Sequence, residues 1–189
     1  MIRKLSEFDI QQVAKLHKEE LSGFIPELGK EFLNLFYKTS AEMPEMFTFV
    51  QEEKGNVLGF VSGITDAWGL NKKILLRRPL RFVFILLRYL IVHPQKTAKF
   101  FRILAYPGFS EGGAELLSLA VSSDCRLQGI GRKLLIATAK EFKRRGINKF
   151  KISVYERLTA NGFYKKNECQ IVSRFDFLGE KMIYYEYLL

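Results

Sequence analysis

Residues 117–135, Leu-Ser-Leu-Ala-Val-Ser-Ser-Asp-Cys-Arg-Leu-Gln-Gly-Ile-Gly-Arg-Lys-Leu-Leu, constrain this chain more than any other stretch. An apolar strand runs into a polar turn, and Arg126-x-x-Gly-x-Gly131 then opens an amphipathic helix. The first N–H groups of a helix lack intrahelical acceptors and, with the helix dipole, favour phosphate oxygens. Gly129 and Gly131 carry no side chain to block a close approach, while Arg126, Arg132 and Lys133 add positive charge. The stretch reads as a pyrophosphate cradle.

Three phosphate-binding loops compete for it. A P-loop needs Gly-x-x-x-x-Gly-Lys-Ser/Thr, and Gly131-Arg132-Lys133 does not supply that spacing. A dinucleotide fingerprint asks for a small residue at Leu134, although Glu156 stands at a tolerable distance for a ribose contact. That reading is weakened and stays open. The third is a coenzyme A loop, Gln/Arg-x-x-Gly-x-Gly/Ala after a strand ending in Ala-Val. Arg126-Leu127-Gln128-Gly129-Ile130-Gly131, preceded by Leu119-Ala120-Val121, resembles that loop of the GNAT acetyltransferases at every defined position.

The rest of the chain is consistent with such a fold. Its 189 residues suit one domain with a sizeable core. Asp9 is the expected N-cap of a helix over 10–21, and a second helix covers 30–41. Residues 46–51 and 57–64 form a hairpin about Lys54-Gly55-Asn56. Ile74 to Val92 is densely apolar but broken by five charges or prolines, too charged for a membrane span. It predicts one helix over 80–92 and another over 95–104. A strand at 114–121, the helix at 129–145 stopped by Gly146, and a strand at 149–155 follow. A short helix at 158–166 and a hairpin about Gly179-Glu180 close the chain. The expected class is α/β (α+β): a GNAT-like mixed central sheet flanked by helices, one domain over 1–189, with a basic helical insertion at about 67–110.

The resemblance continues downstream. GNAT proteins commonly carry Asn-x-x-Ala-x-x-Phe-Tyr-x-Lys-x-Gly-Phe, and Ala160, Phe163, Tyr164 and Lys166 match it. Arg157 replaces the Asn, and Glu168-Cys169 replaces Gly-Phe. Acyl transfer to an amine needs a base, an oxyanion site and a proton for the leaving thiolate. The resemblance implies that Tyr164 supplies that proton and that Glu115, or a water, is the base. It implies acetyl-CoA as co-substrate, held by Leu119, Ala120, Val121, Arg126, Leu127, Gln128, Gly129, Ile130, Gly131, Arg132 and Lys133. Phe163 completes the set, with Asn161 standing in for the missing Asn. A backbone N–H on 119–121 would be the oxyanion site, and Ser118 is a weaker candidate to orient a water.

Cys125 beside Arg126 invites a nucleophilic role, but Asp124 opposes it and neither His17 nor His93 is near in sequence. Two isolated histidines and two cysteines make no metal constellation, so no metal is expected. Cys125 and Cys169 give no disulfide framework and suit a reducing cytoplasm, and no apolar run follows the first basic residues as in a signal peptide.

The net charge of +10 is local. From residue 67 to 110 there are nine Lys and Arg and no Asp or Glu, leaving 21 basic against 20 acidic residues elsewhere. The insertion resembles one in a subset of GNAT proteins associated with polysaccharide biosynthesis, which implies an amino-sugar or nucleotide-sugar amine as acceptor. An anionic membrane contact and a homodimer remain open, as do a catalytically weak coenzyme A-binding module and a protein N-acetyltransferase. No nucleic-acid motif accompanies the charge.

Overall fold

The computed structural model describes residues 1–98, 101–102, 112–177 and 179–189. In chain order these form β1 (Ile2–Lys4), α1 (Ile10–Glu20), α2 (Phe24–Glu27), α3 (Lys30–Ala41), β2 (Met46–Glu53) and β3 (Asn56–Ile64). Then come α4 (Leu70–Arg77), α5 (Pro79–Val92), β4 (Glu115–Val121) and α6 (Ile130–Arg144). β5 (Lys149–Tyr155), α7 (Ala160–Lys166), β6 (Gln170–Phe177) and β7 (Glu180–Leu188) complete the set. The seven strands make one sheet in the order β1-β2-β3-β4-β5-β7-β6, parallel only between β4 and β5.

Alternation along the strands feeds two cores. On one side Val61, Leu116 and Ile152 pack under Leu134, Leu135 and Phe142 of α6. On the other, Phe60 and Val50 meet Val13 of α1 with Leu33 and Tyr37 of α3. α4 and α5 cover α3 separately, through Ile74, Phe82 and Leu86 against Phe32 and Leu35. The β2–β3 turn uses Lys54 and Gly55 at φ 49° and 82°, the paired positive values that a two-residue hairpin needs.

Three expectations change. α4 was not anticipated: only Ile74 of its eight residues is fully buried, and the one-turn pattern it makes with Leu70 and Leu75 is too short to mark a helix. Pro79 ends it by holding Arg78 out of the helical region, at φ −142° and ψ 59°, and then serves as the first residue of α5. Asp9 precedes α1 but caps nothing in it. Its carboxylate accepts from the Ser6 N–H (2.8 Å) and Oγ (2.6 Å) and pairs with Arg3 (2.6 Å). The helix expected over 95–104 is a 3-10 turn at Pro94–Lys96 with helical residues at 97–98 and 101–102; its remainder lies outside the described residues.

Candidate active site

The site is built where the sheet opens. β3 and β4 pair along their length, but Ser62 faces Ser118 while Gly63 faces Leu116, so Leu117 is an extra, bulged residue. β4 and β5 pair only at Glu115–Lys151 and Leu116–Ile152. Beyond that point both strands border a cleft of about 1790 Å³. The N–H of Ser122 donates to the carbonyl of Leu58 (2.9 Å), so the N–H groups of Ala120 and Ser118 also face β3. Those of Leu119 and Val121 face the gap. Strand parity thus separates the residues of the predicted trio: Ala120 spends its donor within the sheet.

The loop from β4 to α6 closes one end. Gly129 sits at φ 77° before the helix, a left-handed conformation that costs glycine least, and nothing lies within 4 Å of where its Cβ would be. Because Lys133 is the first residue to bond back, to the Gly129 carbonyl (3.1 Å), the N–H groups of Ile130, Gly131 and Arg132 are left for a ligand. Gly131 serves packing as well: a Cβ there would stand 3.3 Å from Cε2 of Phe163. Leu127 takes a positive φ of 62° and is fully exposed. Arg126, Leu127, Gly129, Ile130, Gly131, Arg132 and Phe163 border the cleft; the exposed Gln128 and Lys133 do not. The Arg126 guanidinium pairs with Glu20 at the end of α1, and Glu20 also accepts the Ser123 N–H (2.8 Å). Its charge therefore anchors the loop.

Tyr164 of α7 is buried at the cleft wall. No side chain among the described residues hydrogen-bonds its hydroxyl, and burial pushes its phenol well above the ordinary range.. Glu115 borders the same cleft. Its carboxyl is raised by burial, against the opposing effects of a 2.7 Å hydrogen bond from Ser153 Oγ and the charge of Lys151.

Asn161 is not brought to the cleft. Its Nδ2 donates to the carbonyls of Leu158 (2.7 Å), Tyr155 (2.9 Å) and Glu156 (3.1 Å), and its Oδ1 accepts from the Tyr185 hydroxyl (3.0 Å). The side chain is spent on joining β5, α7 and β7. Arg157, at the vacant Asn position, bonds Glu180 (3.1 Å) and covers the Tyr155 ring. Asn167 does border the cleft, with Nδ2 held by the Phe163 carbonyl (2.8 Å).

The sequence matches the profile of the acetyltransferase (GNAT) family over residues 10–168. The chain belongs to the GNAT acetyltransferase family. It is an acyltransferase whose co-substrate is acetyl-CoA, and the free N–H groups at the start of α6, with the gap beside β4, fit that molecule. No curated protein sequence matches the chain significantly. Among solved structures, smu.2055 of Streptococcus mutans UA159 is similar at a TM-score of 0.63 and 19% identity, covering 100% of this chain and 98% of that one. PaiA N-acetyltransferase of Thermoplasma acidophilum, solved with coenzyme A, gives 0.59 at 17% identity, covering 99% and 98%. Ribosomal-protein-alanine N-acetyltransferase of Brucella melitensis gives 0.64 at 16%, covering 100% and 99%. Identities this low speak for the fold.

This GNAT chain also lines its cleft with groups that sequence reading passed over. His17 of α1 is buried beside it, stacked on Phe60, with Nδ1 2.6 Å from the Tyr37 hydroxyl. Ser62 and Ser118 act on the same Tyr37 hydroxyl, lowering a phenol that burial raises, and Ser62 meets Thr48 at 2.9 Å. The weak candidate Ser118 thus stands beside a buried polar cluster. α4 forms another wall, through Leu70, Lys72, Lys73 and Leu76. Of the cations in residues 67–110 only Lys72 and Lys73 reach the cleft among the described residues, and Lys73 pairs with Asp66 (3.5 Å).

Proposed function

We propose that this chain, acting as one acetyltransferase domain, moves the acetyl group of acetyl-CoA to a primary amine of a small molecule by direct attack on the thioester. The amine nitrogen bonds to the thioester carbonyl carbon as the C–S bond breaks. Glu115 accepts the amine proton, directly or through a water held by Ser118. Tyr164 gives its phenolic proton to the departing sulfur and regains one through solvent. The N–H of Leu119 or Val121 receives the developing oxyanion, with no reorganisation needed at that moment.

One observation carries this reading: the Tyr164 hydroxyl has no side-chain partner among the described residues and lies on the cleft where β4 leaves donors unpaired. Lys72, a cation on the α4 wall without an acidic partner among the described residues, favours an acceptor bearing phosphate, such as a phosphorylated amino sugar or a nucleotide sugar. We assign the reaction to the cytoplasm, where Cys125 and Cys169 stay reduced.

The test is release of the coenzyme A thiol from acetyl-CoA across amino sugars, nucleotide sugars, polyamines and peptides. The expected outcome is turnover of one small-amine class, favoured when phosphate is present. Turnover confined to peptide N-termini, or acetyl-CoA binding without acceleration by any amine, would overturn it.

A further inference from the structure

α5 carries two apolar faces, and the fold buries only one. Phe82, Leu86 and Tyr89 enter the core. On the far side Leu80, Phe84, Leu87 and Ile91 are 84%, 65%, 55% and 79% exposed, with Val83 half exposed beside them. Their spacing of four, three and four residues lays them in one stripe roughly 17 Å long. Arg81 and Arg88, about a quarter turn in angle from the stripe's centre, run along its flank. A contiguous apolar stripe of this kind marks a contact surface.

Charge decides what that contact is. Residues 67–110 contain no acid at all. Arg78 and Arg88 turn toward Glu42 and Glu31, and Lys96 toward Glu27, but Lys72, Arg77 and Arg81 have no acidic partner among the described residues. A second copy seated on the stripe by two-fold symmetry would bring cations against their own symmetry mates, with no acids on either hairpin to answer them. An anionic lipid surface answers both features at once: acyl boundary for the stripe, headgroups for the arginines. No helix among the described residues is long and apolar enough to cross a membrane, so the contact is peripheral.

We propose that the α4–α5 hairpin docks this protein on the surface of an anionic bilayer, inserting Leu80, Phe84, Leu87 and Ile91 and setting Arg77 and Arg81 against the headgroups. The same hairpin walls the cleft through α4, so docking holds the cleft beside the bilayer. The proposal does not depend on which amine is acetylated.

Flotation of the full chain with phosphatidylcholine vesicles, alone or mixed with phosphatidylglycerol, tests it. Binding is expected only with the anionic lipid, weakening as salt rises. Phe84→Glu with Ile91→Glu should cut it by roughly tenfold or more, and Arg81→Gln by about fivefold. Because these side chains point outward, the melting temperature and acetyl-CoA binding should hold. Equal binding to neutral vesicles, no flotation, or flotation indifferent to the Glu pair would overturn the proposal. So would a dimer by sedimentation that the Glu pair dissolves while flotation is absent. Turnover of a soluble amine without vesicles reads the acetyl-transfer reaction separately.

Discussion

Ser153 Oγ donates a 2.7 Å hydrogen bond to Oε1 of Glu115, joining β5 to β4 just where the two strands stop pairing. Burial raises the Glu115 carboxyl and this bond pulls it back down, so two opposing effects set its protonation. Glu115→Gln should lower kcat by about 10²–10⁴-fold if the carboxylate takes the amine proton. Ser153→Ala removes a force that favours the charged form, so the acidic limb of the kcat/KM profile should move to higher pH. The stability sign runs opposite to activity. A carboxyl raised in the fold contributes stability below its unfolded pKa and loses it as pH rises through the folded one. The permanently neutral Glu115→Gln should therefore melt higher than wild type at neutral pH. A lower melting temperature together with an unmoved acidic limb in Ser153→Ala would remove Glu115 from the role.

What the sequence disclosed and what it hid follow from distance along the chain. The strand, loop and helix from Leu117 to Leu135 are contiguous, so their pattern is readable directly, and the hairpins and Gly146 stop were legible for the same reason. Arg126 is legible as part of the coenzyme loop, but its pairing with Glu20, 106 residues away, is not. Asn161 stands in for the missing Asn on sequence alone, because its bond from Tyr185, 24 residues on, leaves no local trace. The cleft itself arises from a bulge at Leu117, a register event between two strands that no local pattern encodes.

Tyr164→Phe isolates the leaving-group step. The phenol has no hydrogen-bond partner to lose among the described residues, so the melting temperature should barely change. Its pKa is raised by burial, so the wild-type acid stays protonated across the ordinary assay range. We expect kcat to fall by about 10²–10⁴-fold with KM for acetyl-CoA nearly constant. An unchanged kcat in steady-state assays would assign thiolate protonation to solvent.

Glu20→Ala should loosen the coenzyme loop without touching the chemistry. The carboxylate holds both the Arg126 guanidinium and the Ser123 N–H, which preorganises the turn before α6. Arg126 is exposed, so solvent discounts the pair to about 1 kcal/mol, or roughly fivefold in KM for acetyl-CoA. Glu20→Gln keeps an acceptor for Ser123 and should fall between the two. A change in kcat with KM constant would count against the loop-anchoring role.

Acid should attack the fold first at His17. Burial lowers its imidazole to about 4 from an ordinary 6.5, and Tyr37 holds Nδ1 at 2.6 Å. A group with a depressed folded pKa contributes stability above its unfolded value and loses it as pH falls toward the folded one. The window is therefore about pH 6.5 down to 4, with a loss on the order of 3 kcal/mol. Asp9 and Glu141, both held near 2 by arginines, are lost in a separate and lower window, below about pH 4. His17→Gln should start less stable at neutral pH, by roughly 1–3 kcal/mol for the disturbed Tyr37 bond. Its urea midpoint should then stay flatter than that of wild type between pH 6.5 and 4, so the two curves converge. Parallel curves across that window would show that some other group carries the acid sensitivity.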